Sequence, residues 1–406
     1  MKKILTISIL ALFWVSAHSQ APHLFDHSFP VVQEEQPQIR TLMDQVSVDS
    51  IQVTIEHLQS YHTRRWNSKM VYQVQDWLYN SYGKLGFDSV YFHDFPVLYQ
   101  DNLYETSDNV IAFKRGLLYP DEYVVCGAHY DSYNKFDGDP ELLRAPGADD
   151  NASGVAGVLE IARLLSHCTF ERSVIFIDFA AEEIGLYGSA AYAHDCAEQL
   201  MDIVAYFNLD MIGYLEEGSD IHAHLLYTGQ DAPLASYVFD FSHVYYPDMR
   251  IRQGWLSNGD SDYSSFNRNG YPAIHIFEDT NHSSPFIHTP DDILGISVNN
   301  MNQAKRFTEM NLGLVAILAG LISNEVDDVT SDGLVVFPNP VSETLKIKGI
   351  PMNEVSIYNL MGQRVLNETC RGSAIQLDVA SLAAGVYVLR VLDDAMKVHT
   401  HRMVKY

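Results

Sequence analysis

Basic residues are scarce in this chain. Only 26 Lys and Arg stand against 52 Asp and Glu, a formal charge of -26 over 406 residues. A field of that sign repels phosphate backbones and anionic lipid, so neither a nucleic-acid nor a membrane-surface partner is expected. Cysteine is rarer still. Cys126, Cys168, Cys196 and Cys370 form no Cys-x-x-Cys motif, and four in so long a chain are no disulfide scaffold. Long apolar runs are missing. Ile4 to Val15 and Leu312 to Ile322 both fall short of the ~20 residues that cross a bilayer, so no transmembrane span is expected. Two catalytic signatures are absent as well. Without Gly-x-Ser-x-Gly a serine hydrolase is disfavoured, and without His-Glu-x-x-His the helix-borne single-zinc plan does not apply.

What is present is a large apolar share, 47% of residues, enough for a sizeable core. The start reads as a secretory signal over residues 1–19: Met1-Lys2-Lys3, then the short apolar run, then Ala17-His18-Ser19. Residues 20–38 are polar, contain Pro30 and Pro37, and read as a linker or pro-segment. From Ile39 apolar residues recur at helical spacing. Strands are expected at Ser89 to Phe92, Asn109 to Phe113, Tyr123 to Ala128, Ser173 to Ala180, Ile203 to Leu209, Asp220 to Leu226 and Ala273 to Phe277. Helices are expected after Ser153-Gly154, at Gly188 to Ala197 and over Met301 to Ile322. Continuous apolar strands alternating with helices imply an α/β domain, residues 39–323, with a mostly parallel sheet covered on both faces. An acidic joint, 324–333, follows. Residues 334–406 then show short strand patterns between turn signals, as in a small all-β sandwich.

The chemistry-bearing residues recur at the ends of these strands. His129 and Asp131 follow the first, Glu182 and Glu183 the second, and Asp210 the third. His288 lies in a loop after a later strand, and Asp150 in a glycine-bounded loop that feeds a helix. In α/β sheets ligands bind beyond the carboxyl ends of the strands. Each residue alone has an ordinary reading: a helix cap for Asp150, a solvated pair for Glu182 and Glu183, a loop histidine for His288. Together they suit zinc, which accepts imidazole and carboxylate ligands. Two His and three carboxylates serve two ions only if one carboxylate bridges them.

These residues sit in Gly127-Ala-His-Tyr-Asp-Ser132, Pro146-Gly-Ala-Asp-Asp-Asn-Ala-Ser-Gly154, Ala180-Ala-Glu-Glu-Ile-Gly-Leu-Tyr-Gly-Ser189, Asn208-Leu-Asp-Met211 and Ile287-His-Thr-Pro-Asp291. The set, in this order over roughly residues 40 to 322, resembles the co-catalytic di-zinc aminopeptidases, which include secreted bacterial leucyl aminopeptidases. The resemblance implies that Asp150 bridges two zincs, with His129 and Asp210 on one and Glu183 and His288 on the other. It makes Glu182 the general base for a hydroxide held between the ions, and Asp131 the partner that orients His129. Substrates would be peptides with a free N-terminus. Ser261 to Phe266 resembles the segment that lines the specificity pocket, and the loop Tyr133 to Arg144 is expected to shape the entrance. Cobalt or manganese could replace zinc.

The C-terminal part resembles the sorting domain of the type IX secretion system. Its matching pieces are Val336-Phe-Pro-Asn-Pro340, Val355-Ser-Ile-Tyr-Asn359 with Gly362-Gln363, Leu382 to Leu389, and Lys397 to Tyr406. This implies contact with secretion machinery and a secreted or cell-surface protein that passes through the periplasm. Two rival readings share the fold. A glutaminyl cyclase departs from the pattern near the first His or the bridging Asp, and a non-catalytic binding module loses ligands. Neither departure is seen here.

Overall fold

The computed structural model describes residues 22–405 apart from positions 105, 137, 140, 257–259, 325–333, 338, 340, 360 and 361. The expected signal peptide and most of the acidic joint lie outside the described residues.

An eight-stranded sheet organises the first domain. Its order is Ser89–His93, Asn109–Lys114, Arg172–Phe179, Tyr119–His129, Asp202–Asn208, Ala273–Phe277, Ala223–Leu226, Ile251–Gly254. The four strands from Arg172–Phe179 to Ala273–Phe277 pair in parallel, and the first two strands pair antiparallel. Alternate side chains go to opposite faces, and each face has its own core. Val124, Cys126, Val174 and Phe176 pack with the Gly154–Leu165 and Met301–Leu318 helices. Their neighbours Val125, Ile175, Ile177 and Phe179 pack with Tyr192 and Ala193 of Tyr187–Glu198 and with Phe266 of Tyr263–Arg268. Burial on both sides explains why these strands read as unbroken apolar runs.

Residues 22–36 lie extended along this domain. Phe25 packs into the second core and Phe29 and Val32 into the first. Leu24 N donates to Gly270 O at 2.8 Å, and His27 lies 2.6 Å from Asp202. The final helix is shorter than the apolar run suggested. It stops at Leu318, Gly320 adopts φ +71°, and Leu321–Asn324 pairs as a strand with Cys168–Phe170. A left-handed glycine just past the last turn is a standard helix stop. All four cysteines are buried thiols, and no disulfide forms among the described residues.

The C-terminal part is all antiparallel: Val335–Phe337, Thr344–Asn359, Arg364–Asp378, Gly385–Asp393 and Val398–Lys405 form one sheet. The register of Thr344–Asn359 slips between Lys348 and Met352. Both halves feed one core, through Leu345 and Ile347 on one side of the slip and Val355 and Ile357 on the other.

Candidate active site

Three adjacent parallel strands end at one place. His129 is the last residue of Tyr119–His129, Glu182 and Glu183 follow Arg172–Phe179, and Asp210 follows Asp202–Asn208. Asp150 arrives from the loop before the Gly154–Leu165 helix and His288 from the loop after Ala273–Phe277. All six line one cavity of about 350 Å³. Ala181, Leu186, Met211 and His288 hold positive φ, between 53° and 62°. Such backbone is uncommon outside glycine and clusters at functional sites. Here it marks where the chain turns sharply off the strand ends to aim these side chains inward.

Asp150 faces both histidines. Its Oδ1 lies 3.2 Å from His129 Nε2 and its Oδ2 lies 2.9 Å from His288 Nε2. His129 Nε2 is also 3.4 Å from Asp210 Oδ1 and 3.9 Å from Glu182 Oε2. His288 Nε2 is 2.9 Å from Glu183 Oε2. His129, Glu182 and Asp210 offer donor atoms within 4.8 Å of one another, as do His129, Asp150 and Glu183.

Behind this layer Asp131 is fully buried. It accepts Glu182 N at 3.0 Å and Glu183 N at 3.3 Å, and its Oδ1 lies 3.6 Å from His129 Nδ1. One carboxylate thus ties the first strand end to the second. Asp292 accepts the backbone N–H groups of Asp149 and Asp150 at 2.9 and 3.2 Å. Asn151 binds Leu209 O through its amide and Gly154 N through its carbonyl, at 2.9 Å each. Ser261 Oγ donates to Asp210 Oδ2 at 2.7 Å.

A metal ion fits this donor set. Four carboxylates converge on two imidazoles, yet a neutral imidazole donates one hydrogen bond only. Asp210 Oδ1 and Glu183 Oε1 are buried without any hydrogen-bond partner. Burial pushes Glu182 well above the usual carboxylate range, although the nearby His129 opposes this. Burial and the Asp150 charge push Glu183 up to about 7. Asp150 goes the other way: burial opposes its charge, but hydrogen bonds from His129 and His288 hold it below its ordinary value. Crowded, desolvated carboxylates of this kind require positive charge between them.

The six expected site residues and Asp131 therefore meet in space. Sequence reasoning missed Arg64 and Asp292, which hold the Asp150 loop through backbone contacts. Neither carried a signal, since a buried Arg bound to carbonyls has no side-chain motif. It also placed the apolar wall too narrowly. Tyr263 does pack with Met211, Leu226 and Phe277, but the cavity is lined by Leu186, Met211, Leu256, Phe277 and Ile287, which come from four separate segments.

Comparison with known proteins agrees with this geometry. The sequence profile of peptidase family M28 matches residues 109–313. A profile described as a secretion system C-terminal sorting domain matches residues 335–405. Leucine aminopeptidase 1 of Fusarium vanettenii is 30% identical over 307 residues, covering 71% of this chain and 74% of that protein. The crystal structure of LapB from Legionella pneumophila superposes with a TM-score of 0.60 at 26% identity, over 72% of this chain and 78% of that one. A glutaminyl cyclase from Bacteroides thetaiotaomicron shares the fold, with a TM-score of 0.55 at 20% identity over 67% of this chain and 98% of that one. The strand-end constellation and the matched profile cover the same stretch of sequence, and on both grounds this chain belongs to peptidase family M28, as a zinc aminopeptidase joined to a C-terminal secretion sorting domain.

Proposed function

We propose that the protein is a secreted aminopeptidase that uses two zinc ions and removes apolar N-terminal residues from peptides. One observation carries the two-ion reading: the two oxygens of Asp150 face different imidazoles, at 3.2 Å and 2.9 Å. His129, Asp150 and Asp210 would hold one ion, and Asp150, Glu183 and His288 the other. When bound, zinc supplies Lewis acidity, polarising the scissile carbonyl and acidifying water.

The chain's own groups do the rest. Glu182 takes the proton from the attacking water and delivers it to the leaving amine. Its raised affinity for protons suits a group that must hold one and release it near neutral pH. Asp131 keeps His129 in orientation and fixes the backbone beneath Glu182. Leu186, Met211, Leu256, Phe277 and Ile287 exclude water and accept an apolar side chain. The carboxylates of Glu182, Glu183 and Asp210 attract a cationic α-amine. The sorting domain, with a signal segment at residues 1–19 and a joint near 324–333, fits export by way of the periplasm.

The test is hydrolysis of aminoacyl-p-nitroanilides by wild type and Glu182→Gln, with and without a chelator. Release should need a free α-amine, favour Leu over Asp or Lys, stop on chelation, and return at two zinc per chain. Glu182→Gln should bind both zincs and lose roughly 10²–10⁴-fold in kcat. Cyclisation of N-terminal Gln peptides without nitroanilide release would overturn the reading in favour of the cyclase.

A further inference from the structure

Among the described residues, one charged group lines the cavity without belonging to the donor set. It is Asp260, carried in by the segment that also supplies Leu256 to the wall. Tyr263, three residues further on, packs with Met211, Leu226 and Phe277. Burial and then the Asp260 charge push the Tyr263 hydroxyl up to about 12, which places the two side by side. The carboxylate therefore stands on the apolar side of the cavity, where the first side chain of a substrate goes.

Its charge is answered from outside. Arg268 Nη2 donates to Asp260 Oδ2 at 2.5 Å, yet Arg268 does not line the cavity. Its side chain is 60% exposed and that of Asp260 33%. Asp260 Oδ1 accepts Ser261 N at 3.0 Å and the Ser264 hydroxyl. A carboxylate offers about four acceptor sites. The described donors fill three, and the side chain keeps surface open to the cavity.

This pair treats each kind of side chain differently. An acidic one meets the Asp260 carboxylate and is repelled. A cationic one meets Asp260 with Arg268 close behind, so much of the attraction cancels. A wholly apolar one takes water from Asp260 and returns no hydrogen bond. An uncharged donor replaces that water with a charge-assisted bond. A phenol meets both demands, with a ring for the apolar wall and a hydroxyl for the carboxylate.

We infer that Asp260, with Arg268 at its back, is a specificity determinant that selects N-terminal residues whose apolar body ends in an uncharged donor, tyrosine over phenylalanine. This rests on the aminopeptidase reading above and narrows its substrates. Because Asp260 is one-third exposed, the bond should be worth about tenfold in kcat/KM.

The experiment compares the p-nitroanilides of Tyr, Phe, Lys and norleucine on the full-length zinc enzyme. Wild type should cleave Tyr about tenfold better than Phe, mainly through KM. Asp260→Ala should bring the Tyr-to-Phe ratio close to one. Any damage it does to Ser261 and the Asp210 ligand would lower both substrates alike and leave the ratio unmoved. Arg268→Gln should keep the Tyr preference and raise Lys over norleucine by about tenfold, a gain that added salt should shrink. Equal kcat/KM for Tyr and Phe in wild type would overturn the inference and leave the aminopeptidase reading intact. A Tyr preference that survives in Asp260→Ala would refute the role of Asp260, and no gain for Lys in Arg268→Gln would refute that of Arg268. Failure to cleave any of the four substrates would instead sink the aminopeptidase reading itself, and this inference with it.

Discussion

Arg64 Nη2 donates to Gly147 O at 2.8 Å, from a side chain with no exposed surface. The same guanidinium binds Tyr130 O at 2.9 Å, Leu58 O at 3.1 Å and Pro146 O. A single buried cation thus ties the His129 strand end to the Asp150 loop. No carboxylate among the described residues bonds it directly. Gly147 sits at φ +54°, and a Cβ there would meet Arg64 Nη2 at 2.7 Å, so glycine is required for the approach. Arg64→Met removes the guanidinium from four buried carbonyls, of which only Gly147 O keeps another donor, Ala152 N at 3.0 Å, and should cost roughly 3 kcal/mol or more. Thermal unfolding checks this: Tm should fall by about 5 °C or more, and zinc affinity should weaken with it. An unchanged Tm would refute the clamp.

Asp131 supports the site without reaching the cavity. Asp131→Asn keeps the shape but removes the charge that holds His129. Zinc affinity should drop about 10–100-fold, with activity recovering as zinc is raised. Zinc titration followed by competition with a chromophoric chelator reads this directly. Affinity equal to wild type would show that His129 needs no such partner.

Asp178, paired in register with Ala128 on the neighbouring strand, gives a pH signature from a group outside the proposed ligand set. Burial pushes its carboxyl up to about 8, although Tyr82 Oη, donating at 2.7 Å, opposes the shift. The folded chain therefore binds this proton more tightly than the unfolded chain does. Stability from this group is full below pH ~4 and falls as pH rises toward 8. Asp178→Asn can still accept from Tyr82 and has no charge to desolvate. It should match wild type at pH 4 and exceed it at pH 8 by on the order of 2 kcal/mol or more. Urea denaturation at both pH values measures the difference. Equal gaps at the two pH values would sink the argument.

Metal removal should destabilise the folded chain. Without a cation, the carboxylates of Asp150, Glu182, Glu183 and Asp210 remain crowded around two imidazoles. Zinc at a hundred times its dissociation constant adds about 2.7 kcal/mol per site. Calorimetry should show a lower Tm in chelator, restored by zinc and not by magnesium, which prefers all-oxygen octahedral sites. A Tm that ignores chelation would argue against a structural contribution from the metal.

Much of the fold was legible because both faces of the sheet are buried. Tyr123 to Ala128 and Ser173 to Ala180 had to be continuous apolar runs, and such runs announce inner strands. Harder to read was the end of the Met301–Leu318 helix. The apolar run continues to Ile322, and only the left-handed turn at Gly320 shows that Leu321 has left the helix for a strand pair. The wall of the cavity was harder still, since Leu186, Met211, Leu256, Phe277 and Ile287 share no spacing in the chain.

The sequence by itself determined which groups are delivered to the site. Strand ends are local events, and His129, Glu182, Glu183 and Asp210 each follow an apolar run by a few residues. The chemistry of the donors, two imidazoles and several carboxylates, was therefore readable in one dimension, as was the β-rich character of the C-terminal part. Only the tertiary structure decided the pairings. That Asp150 turns one oxygen to His129 and the other to His288, that Arg64 clamps the loop behind it, and that the Tyr133 ring stands edge-on to His288 all depend on contacts between segments as far apart in the chain as Tyr133 and His288. Such contacts are set by how the loops close over the sheet, and no periodicity along the chain encodes that closure.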